Sequence, residues 1–211
     1  MNKATRTAIL AELEKEYHDT KTALHYNTPF ELLCAVILSA QCTDERVNKI
    51  TARIFPRLNT PEKMGALTHE ELEAEIHDCG LFHAKAKNLL GMCRMLLEDF
   101  GGVIPKDIPT MMKLPGVGQK TANVVASIVY KIPAIAVDTH VFRVSHRLGL
   151  AKGADPLATE KELQKAIPQA KWSDAHHWLI WHGRKVCKAR KPSCRECGLV
   201  ELCPFQEKNF S

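Results

Sequence analysis

Leu114-Pro115-Gly116-Val117-Gly118, continued by Gln119-Lys120-Thr121-Ala122-Asn123-Val124-Val125, ends one helix and opens another within five residues. The spacing predicts a short helix from about Thr110 to Lys113, a turn built on the proline and the two glycines, and a second helix beyond it. Glycines so placed let the backbone turn tightly and let a large ligand approach bare N–H groups. The unpaired amides at the start of the second helix favour an anion, and a DNA phosphate is a natural one. A Gly-x-Gly turn by itself is an ordinary feature of folded chains, so the reading has to be carried by what flanks it.

Helical periodicity dominates on both sides. Ile9, Leu10, Leu13 and Tyr17 fall on one face, as do Val47, Ile50, Ile54 and Leu58. Leu72, Ile76 and Cys79 repeat the pattern, and Leu89, Met92, Cys93, Leu96 and Leu97 continue it. Phe30 to Leu38 is apolar nearly all round, as suits a helix buried in the centre of a lobe, and Thr28-Pro29 opens it as a cap followed by proline. Pro61, Gly80, Gly101-Gly102, Pro105, Pro115, Gly149 and Pro168 divide the chain into helices of roughly 8 to 16 residues. The best strand candidate, Ile132 to Val137, is broken by Pro133 and stands alone. The expected class is all-α, with two lobes sharing a cleft.

A chain of 211 residues can bury one good core or two modest ones. The longest apolar run, Leu32 to Leu38, is too short to span a bilayer, and Lys3 and Arg6 are not followed by the apolar segment of a signal peptide. Both features place the protein in the cytosol, away from membranes. A formal charge of +5 favours nucleic acid only mildly, but six basic residues and no acid lie between Arg184 and Arg195: Arg184, Lys185, Lys188, Arg190, Lys191 and Arg195. Such a run is either a solvated face or a patch that tracks phosphates.

Eight cysteines in a cytosolic chain are not a disulfide framework. Cys34, Cys42, Cys79 and Cys93 are dispersed and read as free thiols. Cys187, Cys194, Cys197 and Cys203 crowd into residues 187–203 with the spacing Cys-x6-Cys-x2-Cys-x5-Cys. Four thiolates in so short a window form a closed tetrathiolate site, for which zinc and a [4Fe–4S] cluster are both open on spacing alone.

Two further residues stand out for their chemistry. Lys120 falls on the first turn of the helix after the glycines, where its charge opposes the helix dipole. Conflicts of this kind concentrate at functional sites, and a neutral amine there can form a Schiff base. Asp138, in Val137-Asp138-Thr139-His140, precedes the periodic run Val141, Val144 and Leu148 and reads as a helix N-cap. A capping carboxylate is fixed in place and stays charged, so capping and catalysis are compatible.

Leu-Pro-Gly-Val-Gly followed by a helix resembles the helix-hairpin-helix motif. With Val137-Asp138-Thr139-His140-Val141-Phe142-Arg143 and the cysteine spacing, in that order, the chain resembles the endonuclease III family over essentially its whole length. Leu38-Ser39-Ala40-Gln41 with Thr43-Asp44 is similar to the family's helix that brings a glutamine to DNA, and Gly80-Leu81 before Lys85-Ala86 to its loop that inserts a leucine wedge. Without the resemblance, Gln41 is an exposed residue closing a helix and Leu81 a helix C-cap contact. Phe82 departs from the family, which often carries tyrosine there.

The resemblance implies a two-lobed helix-hairpin-helix glycosylase fold with a C-terminal [4Fe–4S] cluster loop. Residues 22–132 would form a helical bundle carrying the hairpin (about 108–129), and residues 1–21 with 133–211 the second lobe. It implies a monomer acting on double-stranded DNA with damaged pyrimidines or abasic sites, bound across the cleft. Lys120 and Asp138 would be catalytic, and Cys187, Cys194, Cys197 and Cys203 the ligands of one [4Fe–4S] cluster. Gln41, Leu81, Leu114, Gly116, Val117, Gly118, His140, Lys188, Arg190, Lys191 and Arg195 would contact DNA. Two other readings are a mismatch adenine glycosylase, which usually lacks a lysine at the position of Lys120, and a non-catalytic DNA-binding module with structural zinc.

Overall fold

The computed structural model describes residues 1–210. Among these residues the chain is helical throughout, with no strand. The α-helices are α1 (Lys3–Tyr17), α2 (Pro29–Leu38), α3 (Asp44–Ile54), α4 (Pro61–Gly65), α5 (His69–Ile76), α6 (Phe82–Phe100), α7 (Ile108–Met111), α8 (Gln119–Tyr130), α9 (Thr139–Arg147), α10 (Pro156–Ala166) and α11 (Trp172–Lys185). Their starts are set by short polar side chains. Asn2, Thr28, Thr43, Thr60, Thr68, Asp107, Asp138 and Asp155 each accept a hydrogen bond from a first-turn backbone N–H. Thr68 and Glu71 complete a reciprocal capping box.

The chain divides into two compact units, Thr22–Tyr130 and Met1–Lys21 with Lys131–Ser211. In the continuous unit α2 is the central helix: every residue from Phe30 to Leu38 is buried, Glu31 included. Helices α3, α6 and α8 pack on it, and α4 and α5 pack on α6. Val47, Ile50, Ile54, Leu72, Ile76, Leu89, Met92, Cys93 and Leu96 supply the facing side chains. In the discontinuous unit α1 and α9 pack on α11. Ile9, Leu10, Leu13 and Tyr17 join Val141, Val144, Leu148, Trp178 and Leu179 in one core, which Leu199 of the cysteine loop also enters.

Several expectations need correction. The first hairpin helix is Ile108–Met111, not Thr110 to Lys113, because Asp107 caps it and Pro109 fixes its first turn. Helix α6 runs 19 residues, longer than expected, until Gly101 takes the left-handed conformation at φ +59°. Helices α4 and α7 are correspondingly short, at 5 and 4 residues. Leu97, assigned to the apolar face of α6, is 37% exposed. Leu81 is no C-cap contact: it stands at the N-cap position of α6, left-handed and exposed.

Candidate active site and cysteine loop

The hairpin is held from both ends. Val117 N donates to Leu114 O at 3.1 Å, and Leu114 and Val117 bury their side chains while Gly116 and Gly118 stay exposed. Gly116 is at φ +79°, where an L side chain is strained. The first bond of the α8 ladder runs from Ala122 N to Gly118 O at 3.0 Å, so the amides of Gly118 to Thr121 precede it. Lys120 is exposed on this first turn. One face of the unit thus offers unladdered amides beside an amine.

Gln41 and Leu81 lie far apart in sequence, but their loops meet. Gly80 passes so near Gln41 that a Cβ on residue 80 would stand 3.2 Å from the Gln41 carbonyl oxygen. Between the loops sits Lys85, only 4% exposed. Its Nζ donates to Leu38 O (2.8 Å) and Ala40 O (2.6 Å) and lies 3.0 Å from Cys79 Sγ. The ammonium therefore closes the C-terminal carbonyls of α2, where a cation is favoured, and fastens them to the residue before Gly80. Gln41 and Leu81 are both exposed, at φ +53° and +60°. Non-glycine residues are uncommon in that region, and such strain clusters at functional sites. Lys191, at φ +46°, is another of the four described non-glycine residues with positive φ. Three of those four were singled out from sequence on other grounds.

In the discontinuous unit Asp138 caps α9: its Oδ1 accepts from Val141 N at 2.7 Å, which fixes a half-buried carboxylate. Two residues on, His140 Nδ1 lies 3.2 Å from Arg143 Nη2. Burial lowers the imidazole's pKa, the charges of Arg143 and Arg184 add to this, and Asp138 opposes them.

Residues 187–203 are gripped by α9. Arg143 donates to Gly183 O (3.0 Å) and to Cys187 O (3.1 Å), and Arg147 to Lys188 O (2.7 Å) and Ala189 O (3.1 Å). Cys187, Cys194, Cys197 and Cys203 line one cavity of about 370 Å³, part of it open to solvent, together with Leu148, His182, Val186, Val200 and Phe205. Burial raises the Cys197 and Cys203 thiols, and the neighbouring cysteines add to the rise. His182 Nδ1 is 3.1 Å from Tyr17 Oη and its Nε2 3.8 Å from Cys197 Sγ. Lys188, Arg190, Lys191 and Arg195 are exposed on the loop, whereas Arg184 and Lys185 lie over the Trp181 ring on the last turn of α11.

The sequence singles out neither Arg147 nor His182, marks Tyr17 only as part of an apolar face, and marks Arg143 and Lys85 only as parts of a resemblance. The i, i+4 spacing of Arg143 and Arg147 was visible. So was a lysine at an inward position of α6, four residues before the buried Leu89.

The model of the HhH-GPD superfamily base excision DNA repair protein family matches residues 34–169, which include the hairpin, Lys120 and Asp138. Endonuclease III of Haemophilus influenzae and endonuclease III of Escherichia coli K12 are each 47% identical over 208 residues, 99% of this chain and 99% of theirs. A trapped endonuclease III–DNA covalent intermediate, in an estranged-adenine complex, superposes with a TM-score of 0.93 at 48% identity, covering 97% of this chain and 96% of that one. The chain belongs to the endonuclease III family of helix-hairpin-helix base excision DNA repair glycosylases. It is a DNA-binding enzyme with glycosylase and abasic-site lyase activity, which sets aside the non-catalytic module.

Proposed function

We propose that the enzyme removes oxidised or ring-saturated pyrimidines from double-stranded DNA through an imine on Lys120 and then nicks the strand by β-elimination. The observation that carries this reading is the place of Lys120, exposed on the first turn of α8 directly after the Gly116–Gly118 turn. A phosphate held by the amides there fixes the register of the backbone beside an amine. Once the damaged nucleotide is extruded, the lone pair of the Lys120 amine attacks the sugar C1′ and the glycosidic bond breaks. The base leaves with a proton, and the opened sugar is joined to Lys120 as an iminium. Loss of the C2′ proton then breaks the C3′–O bond. The Asp138 carboxylate, fixed by Val141 N, stabilises positive charge developing on the sugar and moves protons. Gln41 and Leu81 fill the gap left in the duplex, and His140 and the hairpin residues contact the strand.

Cys187, Cys194, Cys197 and Cys203 would hold one [4Fe–4S] cluster. The donor set fits: four thiols line one cavity, and their mutual repulsion as thiolates is relieved only around a cationic group. The Cys-x6-Cys-x2-Cys-x5-Cys spacing, which resembles that of the endonuclease III family, favours a cluster over a zinc ion. When bound, the cluster contributes fixed charge and ties the loop. The loop in turn presents Lys188, Arg190, Lys191 and Arg195 to phosphates, without reading bases. We place the protein as a monomer in the compartment that holds the DNA; no described helix is long and apolar enough to cross a membrane.

The test is a duplex bearing one thymine glycol, treated with borohydride. Wild type gives a stable protein–DNA crosslink, and Lys120→Gln binds the duplex but yields neither crosslink nor nick. A Lys120→Arg enzyme that nicks and crosslinks normally would reassign the nucleophile.

A further inference from the structure

The pocket of polar contacts around Lys85 holds a second chemistry that base excision does not use. Cys79 is 1% exposed and immediately precedes Gly80-Leu81; Cys42 is half-buried and immediately follows Gln41. Cys79 Sγ donates to Leu38 O at 3.3 Å and lies 3.0 Å from Lys85 Nζ, which also donates to Ala40 O at 2.6 Å, so the Cys79 sulfur sits against the turn that carries Cys42, and the Cys42 side chain adds to the rise of the Cys79 thiol. The close pass of Gly80 by the Gln41 carbonyl, 3.2 Å for a Cβ, holds the two segments in register.

We propose that Cys42 and Cys79 are a peroxide-oxidisable pair, converted by a hydroperoxide into a disulfide that joins the loops carrying Gln41 and Leu81. Neither thiol belongs to the cysteine loop, and both lie in the continuous unit, as does Lys85. Oxidation starts at Cys42, the less buried of the two residues. Its thiol attacks the peroxide oxygen, the O–O bond breaks, and Cys42 sulfenic acid and one water result. The Cys79 sulfur then attacks the sulfenic sulfur. The S–S bond forms, the S–OH bond breaks, and hydroxide leaves with the Cys79 proton as a second water. Each sulfur gives up one electron and the peroxide takes both. Lys85 serves the second step: burial raises the Cys79 thiol, and the adjacent ammonium pulls in the other direction, toward the thiolate that attacks. Cys34 and Cys93 are buried, and burial pushes both thiols up.

The intact protein is treated with a small excess of hydrogen peroxide, remaining thiols are blocked, and tryptic peptides are mapped without reduction. The expected product links residues 22–46 to residues 64–85, at the mass of both peptides less two hydrogens, and dithiothreitol separates them. Because Cys34 shares the first peptide, the link must survive Cys34→Ser and vanish in Cys42→Ser. Peroxide that carries Cys42 to the sulfinic or sulfonic acid, with no linked peptide in wild type or Cys34→Ser, overturns the proposal. The readout is a peptide mass and needs no catalysis, so failure of the Lys120 mechanism and failure of this pair are told apart.

Discussion

Asn88 fills the space in front of Gly116: a Cβ on residue 116 would stand 2.9 Å from the Asn88 Cβ and 3.3 Å from its Cγ. Helix α6 thus backs the hairpin directly, and glycine is required there twice over, by this contact and by φ +79°. A left-handed backbone costs an L residue about 1–2 kcal/mol before any clash is counted. Gly116→Ala should lower the urea midpoint by at least that free energy and weaken DNA binding. At Gly118, by contrast, nothing lies within 4 Å of an added Cβ. Gly118→Ala should leave the midpoint unchanged and still bind undamaged duplex more weakly, because the methyl stands where a phosphate approaches. Wild-type affinity for Gly118→Ala would remove the amide cradle from the account.

Asp138 combines a cap and a charge, and two substitutions separate them. Asparagine keeps an oxygen for Val141 N, so Asp138→Asn should unfold like wild type. Its turnover of a thymine glycol duplex should fall by about 10²–10⁴, the range for a lost acid–base group. Asp138→Ala should lose the same rate and also about 1 kcal/mol of stability with the cap. Equal unfolding midpoints for the two variants would show that the cap contributes nothing.

Lys85 tests whether the Gln41 and Leu81 loops act together. Lys85→Met keeps the aliphatic stem but takes the ammonium donor from Ala40 O and leaves Leu38 O only the weak Cys79 Sγ–H. An unsatisfied buried polar group costs about 1–3 kcal/mol. The variant should unfold at lower urea and lose affinity for a duplex with an extruded base more than for undamaged duplex. An equal loss on both duplexes would mean that the two loops do not read the lesion.

His140 supplies a pH dependence. Its folded pKa lies below the ordinary 6.5, through burial first and the two arginines second. Below 6.5 the unfolded chain takes up a proton that the folded chain resists, so stability present above that pH is lost as pH falls toward the lower folded pKa. His140→Gln should flatten the fall in urea midpoint between neutral and mildly acidic pH. An unchanged slope would assign it to other groups.

The helical class, the central α2 and the caps at Thr28 and Asp138 were legible because periodicity and capping are local. The start of α7 was misplaced by two residues because Asp107 and Pro109 outweighed the apolar pattern that followed. Leu97 repeats in the right phase, yet it faces Gly65 and Gly102, which have no side chains to cover it. Of the candidate site, the geometry written in contiguous residues was legible, as in the hairpin turn and the grouping of four cysteines on one cavity. The site was illegible where it rests on contacts distant in sequence. Lys85 meets carbonyls at residues 38 and 40, and Arg143 and Arg147 meet carbonyls from 183 to 189, so no short pattern records the acceptors. The left-handed backbone at Gln41, Leu81 and Lys191 is equally silent, since nothing in those residue types announces it.

The partition of the chain has a consequence for how it is made. Helix α1 leaves the ribosome well before the helix it packs against, α11, which spans Trp172–Lys185. Everything from Thr22 to Tyr130 forms the other unit and can condense on its own contacts while synthesis continues. Throughout that interval the apolar stripe Ile9, Leu10, Leu13 and Tyr17 has no native partner. Between the synthesis of α1 and that of α11 the newborn chain therefore carries a helix whose apolar stripe is uncovered.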